Sequence, residues 1–252
     1  MMKSILAFTQ LNFIKGIREK IFYGLLFLLI FFLGLSLFLS TLSVGENSRV
    51  LVSAGLSAIE ITGLLLLIFS LTFGFYADKN ARMLEVYLSY FPRYVYTASL
   101  FLAYILLALF YLLITGTLFI LVLILNSAFS WAVLAGIYSI ALKLSIIVGL
   151  SLLFCALFDS PALALLTTIF LYGASQIAGQ ALRLSGISGP SLQQDFFKFL
   201  YYLLPNMDKL DIKYQVIYQQ LPGAGFFIFV SFYTLIYCLF LWSLSTLAFS
   251  RK

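Results

Sequence analysis

The sequence predicts an all-α, polytopic membrane protein. Three observations carry that class. Of 252 residues, 63% are hydrophobic and only 10% are charged, a composition foreign to soluble domains. The apolar residues gather in runs, and since a span takes roughly 20 of them, the chain has room for about six spans. The basic residues collect at the ends of those runs and form no stripe with interleaved aromatics. The formal charge of +6 therefore speaks of topology, not of nucleic acid. The whole chain, 1–252, reads as a single transmembrane domain.

Residues 3–20 mix polar and basic side chains. Leu6, Phe13 and Ile17 share one helical side and Asn12, Lys15 and Glu19 the opposite one, while Ile5 and Phe8 break the pattern. This predicts an interfacial elbow helix (1–20) leading into the first span. A secretory signal is excluded, because the apolar run that follows is too long and lacks a small-residue cleavage site. Span 1 is expected over 21–42, followed by a polar turn at 45–49, and span 2 over 56–76. Spans 3 and 4, over 96–125 and 131–158, are joined by a turn at 126–130. Asp159-Ser160-Pro161 closes span 4, with Pro161 suited to the first turn of the next helix. Span 5 covers 162–182, a polar segment 183–222, and span 6 226–249.

Between spans 2 and 3 lies the most charged stretch, 78–93. As one helix it sets Asp78, Arg82, Glu85 and Ser89 on one side and Leu84, Tyr87, Leu88 and Phe91 on the other. Asp78–Arg82 and Arg82–Glu85 are spaced to pair along the polar side. Pro92 stops the helix, since it lacks an N–H and disfavours helix at the residue before it. The residues alone leave two readings open: a rod transmitting motion from a soluble partner, or a connector lying on lipid.

Basic residues set the orientation. With the N-terminus inside, that side holds Lys3, Lys15, Arg18, Lys20, Lys79, Arg82, Arg93, Arg251 and Lys252, against Arg49, Arg183, Lys198, Lys209 and Lys213 outside. Both termini are then cytoplasmic, the 78–93 helix is cytoplasmic, and the 183–222 segment is extracytoplasmic. Within it Leu192, Phe196, Phe199 and Leu203 recur at helical spacing, with Gln194, Asp195 and Lys198 away from them. This predicts an amphipathic helix half-sunk in the outer leaflet, ending near Pro205, with Tyr201 and Tyr202 at headgroup level. A lid over a transport path and a plain anchor both fit.

Ionisable groups inside spans are expensive and are candidates for function. There are two: Glu60, expected near the outer end of span 2, and Lys143, mid-way along span 4. Gln176 and Gln180, one turn apart in span 5, suit a polar path or interhelical hydrogen bonds. Cys155 and Cys238 fall inside spans and read as packing residues. No histidine is present, which removes the commonest metal ligand and general base. No zinc-protease, nucleophile-elbow or P-loop motif occurs, so no catalytic residue, cofactor or metal site is expected in this chain. If ATP drives it, a separate protein supplies the engine.

The order of parts resembles the membrane subunit of type-2 ATP-binding-cassette (ABC) exporters, the six-span permease group that includes the nitrous-oxide-reductase maturation permease. Arg18-Glu19-Lys20 resembles the family's charged elbow. Leu84-Glu85-Val86-Tyr87-Leu88-Ser89-Tyr90, with Pro92 and Arg93, resembles its LExLLSxPxxR passage. Asp159-Ser160-Pro161 resembles its span 4–5 turn, and Leu203-Leu204-Pro205-Asn206-Met207-Asp208 its LLPN passage. Two departures stand out: Pro92 follows Ser89 by three residues rather than two, and Ser99 stands where a Gly-Lys pair is common. The resemblance implies that Arg82, Leu84, Glu85, Leu88, Ser89, Pro92 and Arg93 couple the chain to an ATPase, with Lys15, Arg18 and Glu19 as elbow contacts. It implies two ATPase subunits carrying ATP and Mg, a second permease copy or paralogue, surrounding membrane lipid, and a bacterial or archaeal plasma membrane. Two other classes stay open: an ion- or proton-coupled carrier using Glu60 and Lys143, and a non-transporting assembly subunit.

Overall fold

The computed structural model describes residues 2–43, 46–188 and 204–250, and every regular element among them is helical. In order these are α1 (Met2–Arg18), α2 (Lys20–Leu42), α3 (Asn47–Asn80), α4 (Met83–Tyr90), α5 (Arg93–Leu125), α6 (Ala132–Leu157) and α7 (Pro161–Ser188). A 3-10 turn (Met207–Leu210), α8 (Lys213–Ile217) and α9 (Ala224–Ser250) complete the order. Five of them, α2, α3, α5, α6 and α9, are long and apolar enough to cross a bilayer. In α7, expected as a span, the apolar stretch among the described residues is the shorter Pro161–Ile177.

Burial orders the helices. In the most apolar stretches of α3 and α6, 72% of residues are buried, against 22% in α2 and α9. The first two therefore form the centre. The outer helices turn Phe27, Phe31 and Leu39 (α2) and Phe229, Phe232 and Leu239 (α9) outward, as side chains meeting hydrocarbon do. Helix α2 packs on α3, α9 on α6, and α1 on α5. Helices α3 and α5 approach closely at Gly55, where a Cβ would lie 2.1 Å from the buried Phe119 ring. Small residues permit such approaches in apolar surroundings. Nearby, Tyr111 of α5 donates to the Ile59 carbonyl at 3.0 Å.

The charged 78–93 stretch is not one helix. Asp78 to Asn80 are the last turn of α3. The chain then breaks at Arg82, which takes a left-handed conformation (φ 57°) before α4 begins at Met83. The expected Asp78–Arg82 pair gives way to Asp78 with Lys15, 2.5 Å apart. At the far end Pro92 acts as expected: α4 stops at Tyr90, Phe91 is extended, and α5 starts at Arg93. Pro161 likewise opens α7.

Two further expectations change. Helix α3 begins at Asn47, ahead of the span expected over 56–76, and takes in Asn47, Ser48 and Arg49 of the expected polar turn. The segment before α9 does not simply lie outside the bundle. Met207, Leu210, Ile212 and Val216 are buried between helices, and the Ser139 hydroxyl donates to the Leu210 carbonyl. The expected outer helix around Leu192, Phe196, Phe199 and Leu203, with Arg251 and Lys252, lies outside the described residues.

Candidate functional site: a four-charge cluster inside the bundle

Glu60 and Lys143 meet. Glu60 projects from α3 and is 2% exposed; Lys143 projects from α6 and is 1% exposed. Lys143 Nζ donates to Glu60 Oε1 at 2.9 Å. Isolated charges in such surroundings are expensive, so each needs a partner at its own depth. Measured along α3 at 1.5 Å per residue, Glu60 sits ~20 Å from Asn47 and ~30 Å from Asn80. Glu60 was expected near the outer end of span 2; α3 extends 13 residues ahead of it, to Asn47.

Two more charges arrive from the segment ahead of α9. Lys143 Nζ lies 3.1 Å from Asp211 Oδ2, and Lys213 Nζ lies 2.6 Å from Glu60 Oε2. Lys213 also donates to Ser57 Oγ at 3.1 Å, while Asp211 Oδ1 accepts the Lys213 backbone N–H at 3.1 Å. Two carboxylates and two ammoniums balance. Helix α7 completes the set: Tyr172 OH donates to Glu60 Oε1 at 2.8 Å, and Gln176 Nε2 donates to Tyr172 OH at 2.9 Å and to Glu60 Oε1 at 3.4 Å. Gln176, singled out in the sequence for a polar path or interhelical hydrogen bonds, bonds across to Glu60 of α3. The Gln180 side chain lies outside the described residues.

A second polar cluster fixes the elbow. Lys15 Nζ, besides its pair with Asp78, reaches the Gly74 carbonyl at 3.5 Å. Glu19 Oε2 accepts from Ser70 Oγ at 2.5 Å, and Tyr104 OH donates to the Ser70 carbonyl at 3.0 Å. Burial pushes the Glu19 carboxyl above the usual range, against the opposing Ser70 hydrogen bond and the Lys15 charge. Arg18 stays exposed. The face of α1 toward the bundle is mixed, with Asn12 and Lys15 beside Phe13 and Ile17, and Leu6, Leu11 and Ile14 face out. Phe8, which broke the amphipathic pattern, packs edge-on against Tyr87 of α4 and Phe91, at 5.0 and 5.1 Å between centroids.

Helix α4 is held at the same end. Leu84 and Tyr87 pack on the core, while Arg82, Met83, Ser89, Pro92 and Arg93 are exposed. The Glu85 and Leu88 side chains lie outside the described residues. Arg93 donates to the Phe249 carbonyl at 3.1 Å, and Lys79 pairs with Asp159 of the α6–α7 turn at 2.8 Å. Tyr76 OH donates to the Phe158 carbonyl at 2.8 Å. One end of the bundle therefore gathers α1, α4, the α6–α7 turn and the end of α9. Both cysteines are buried and free.

Helix length, apolarity and a buried, charge-balanced cluster define a multi-pass, all-helical membrane protein. No protein-family model matches the chain, and no curated protein matches it.

Proposed function

We propose that the chain is the membrane-spanning permease subunit of an ATP-driven ABC exporter. It works as a dimer with a second permease copy or a paralogue and with two ATPase subunits that carry ATP and Mg. One observation carries this reading: α4 is a separate two-turn helix, turned off the end of α3 by a left-handed Arg82 and seated on α1 through Phe8. Strained backbone persists where the surroundings hold it, and it concentrates at working sites. A short helix so mounted transmits a push in either direction to α3, which carries Glu60, and to the elbow. The opening of the chain toward one side of the plasma membrane or the other then follows from differential contacts in the two states.

Affinity capture of the tagged chain from membranes tests it. The wild type brings down an ATPase, and Glu85→Arg/Leu88→Asp loses it while remaining folded in the membrane. Capture without an ATPase, or capture indifferent to that variant, removes the proposal.

The four-charge cluster favours a second reading, a carrier driven by an ion or proton gradient. Its signature is flux into vesicles under a pH gradient without ATP, abolished by Lys143→Met. The ATP-driven reading predicts no such flux.

A further inference from the structure

The cluster divides its bonds in a way that points to motion. Glu60 Oε1 takes all the donors supplied by the bundle: Lys143 at 2.9 Å, Tyr172 at 2.8 Å and Gln176 at 3.4 Å. Glu60 Oε2 is met by Lys213 at 2.6 Å, which comes from the segment ahead of α9. Lys143 is divided in the same manner, with Glu60 in the bundle and Asp211 on the segment. Remove the segment and Glu60 and Lys143 remain paired. Asp211 and Lys213 leave together, one negative and one positive. No step strands a charge in apolar surroundings, the event that makes buried ion pairs costly to break.

The segment is also imperfectly satisfied where it sits. Asn206 Oδ1 and Gln215 Oε1 are buried with no hydrogen-bond partner among the described residues. Buried unsatisfied polar atoms carry a desolvation penalty, and withdrawal into water relieves both. Against this stand the buried Met207, Leu210, Ile212 and Val216, the Ser139–Leu210 hydrogen bond, and the Asn206 N–H donating to Tyr233 OH at 2.9 Å.

We propose that residues 204–217 form a withdrawable plug that closes the bundle at the end away from α4, with the Glu60–Lys143 pair as its receptor. When the plug leaves, the receptor presents a free carboxylate oxygen and a bared ammonium face inside the bundle, beside Ser57 and Ser139. The plug deepens the transport reading given above. Its movement is measured without any ATPase, so the two fail separately.

The test exploits two positions of equal burial. Leu210 and the native Cys155 are each 1% exposed, but only Leu210 lies on the plug. In purified Leu210→Cys protein treated with N-ethylmaleimide, site-resolved mass spectrometry compares the two thiols within one chain. The plug opens while α6 stays packed, so position 210 labels about ten-fold faster than Cys155 or more. Adding Asp211→Asn/Lys213→Gln, which removes one charge of each sign, accelerates position 210 further and leaves Cys155 unchanged. Asp211→Asn alone, which unbalances the cluster, lowers the yield of folded protein more than the double change does. Equal labelling of the two thiols in the Leu210→Cys chain overturns the proposal, and that arm leaves the charge cluster untouched. A single change tolerated as well as the double one overturns the paired withdrawal.

Discussion

Lys143 is the residue on which most of the interior depends. Lys143→Met leaves Glu60 with Lys213 as its remaining ammonium and Asp211 without the Lys143 charge, and breaking a buried pair from one side costs about 3–5 kcal/mol. Thermal unfolding in detergent is expected to show that loss, and Glu60→Gln/Lys143→Met to recover most of it, because the double change keeps the net charge. Glu19 behaves in the opposite sense to an ordinary paired carboxylate. Its pKa is raised in the folded chain, chiefly by burial, so the folded state binds more protons than the unfolded one between the two pKa values. Its contribution is fully present below the ordinary carboxylate pKa and is lost as pH rises through the raised value. Glu19→Gln keeps an acceptor for Ser70 and removes the penalty. The melting temperature of the variant is expected to exceed that of the wild type at neutral pH, and the gap to close on acidification.

Glu60, Lys143 and Gln176 were legible in the sequence because polar atoms stand out in apolar runs. Asp211 and Lys213 were not, because a charged stretch between spans reads as solvated whether or not it folds back inside. The start of α3 was hidden for a related reason: Asn47, Ser48 and Arg49 read as part of a polar turn, yet they open the helix.

At the scale of elements, α4 and the α3–α5 seam make the sharpest predictions. A left-handed conformation costs a residue with a Cβ about 1–2 kcal/mol, a penalty glycine escapes. Arg82→Gly is therefore expected to keep the break before α4 and to raise stability by about 1 kcal/mol, read by thermal unfolding. If ATPase capture falls even so, Arg82 acts through its charge. At the seam, Gly55→Ala drives a Cβ into the Phe119 ring, which is fully buried. Overpacking of this kind costs about 1–3 kcal/mol, and Phe119→Leu in the same chain is expected to restore part of it. The helix stop at Pro92 was legible from proline chemistry, since Pro fixes its own φ and pushes Phe91 into extended backbone. The break at Arg82 was not, because nothing in Ala81-Arg82-Met83 disfavours helix locally; tertiary contacts flank it on both sides, Lys15–Asp78 before and Phe8–Tyr87 after.

For the whole molecule, α1 turns a mixed face inward, Asn12 and Lys15 together with Phe13 and Ile17, which shows what periodicity alone leaves open. A wheel separates polar from apolar residues but does not say which face meets lipid. Asn12, Lys15 and Glu19 find partners on α1 itself and on α3, while Leu11 and Ile14 meet the surroundings. The excess of Lys and Arg at the end holding α1 and α4 is what the positive-inside rule expects of a cytoplasmic end, and the proposed ATPase contact requires that side.

The central claim, that α4 is offered to a soluble engine on the inner side, stands or falls on sidedness. Single Met83→Cys and Glu46→Cys chains, each in a Cys155→Ala/Cys238→Ala background, are treated with a membrane-impermeant maleimide in intact cells and in inverted vesicles. Both positions are exposed. Position 83 is expected to label only in inverted vesicles and position 46 only in intact cells; labelling of position 83 from outside intact cells would contradict the account.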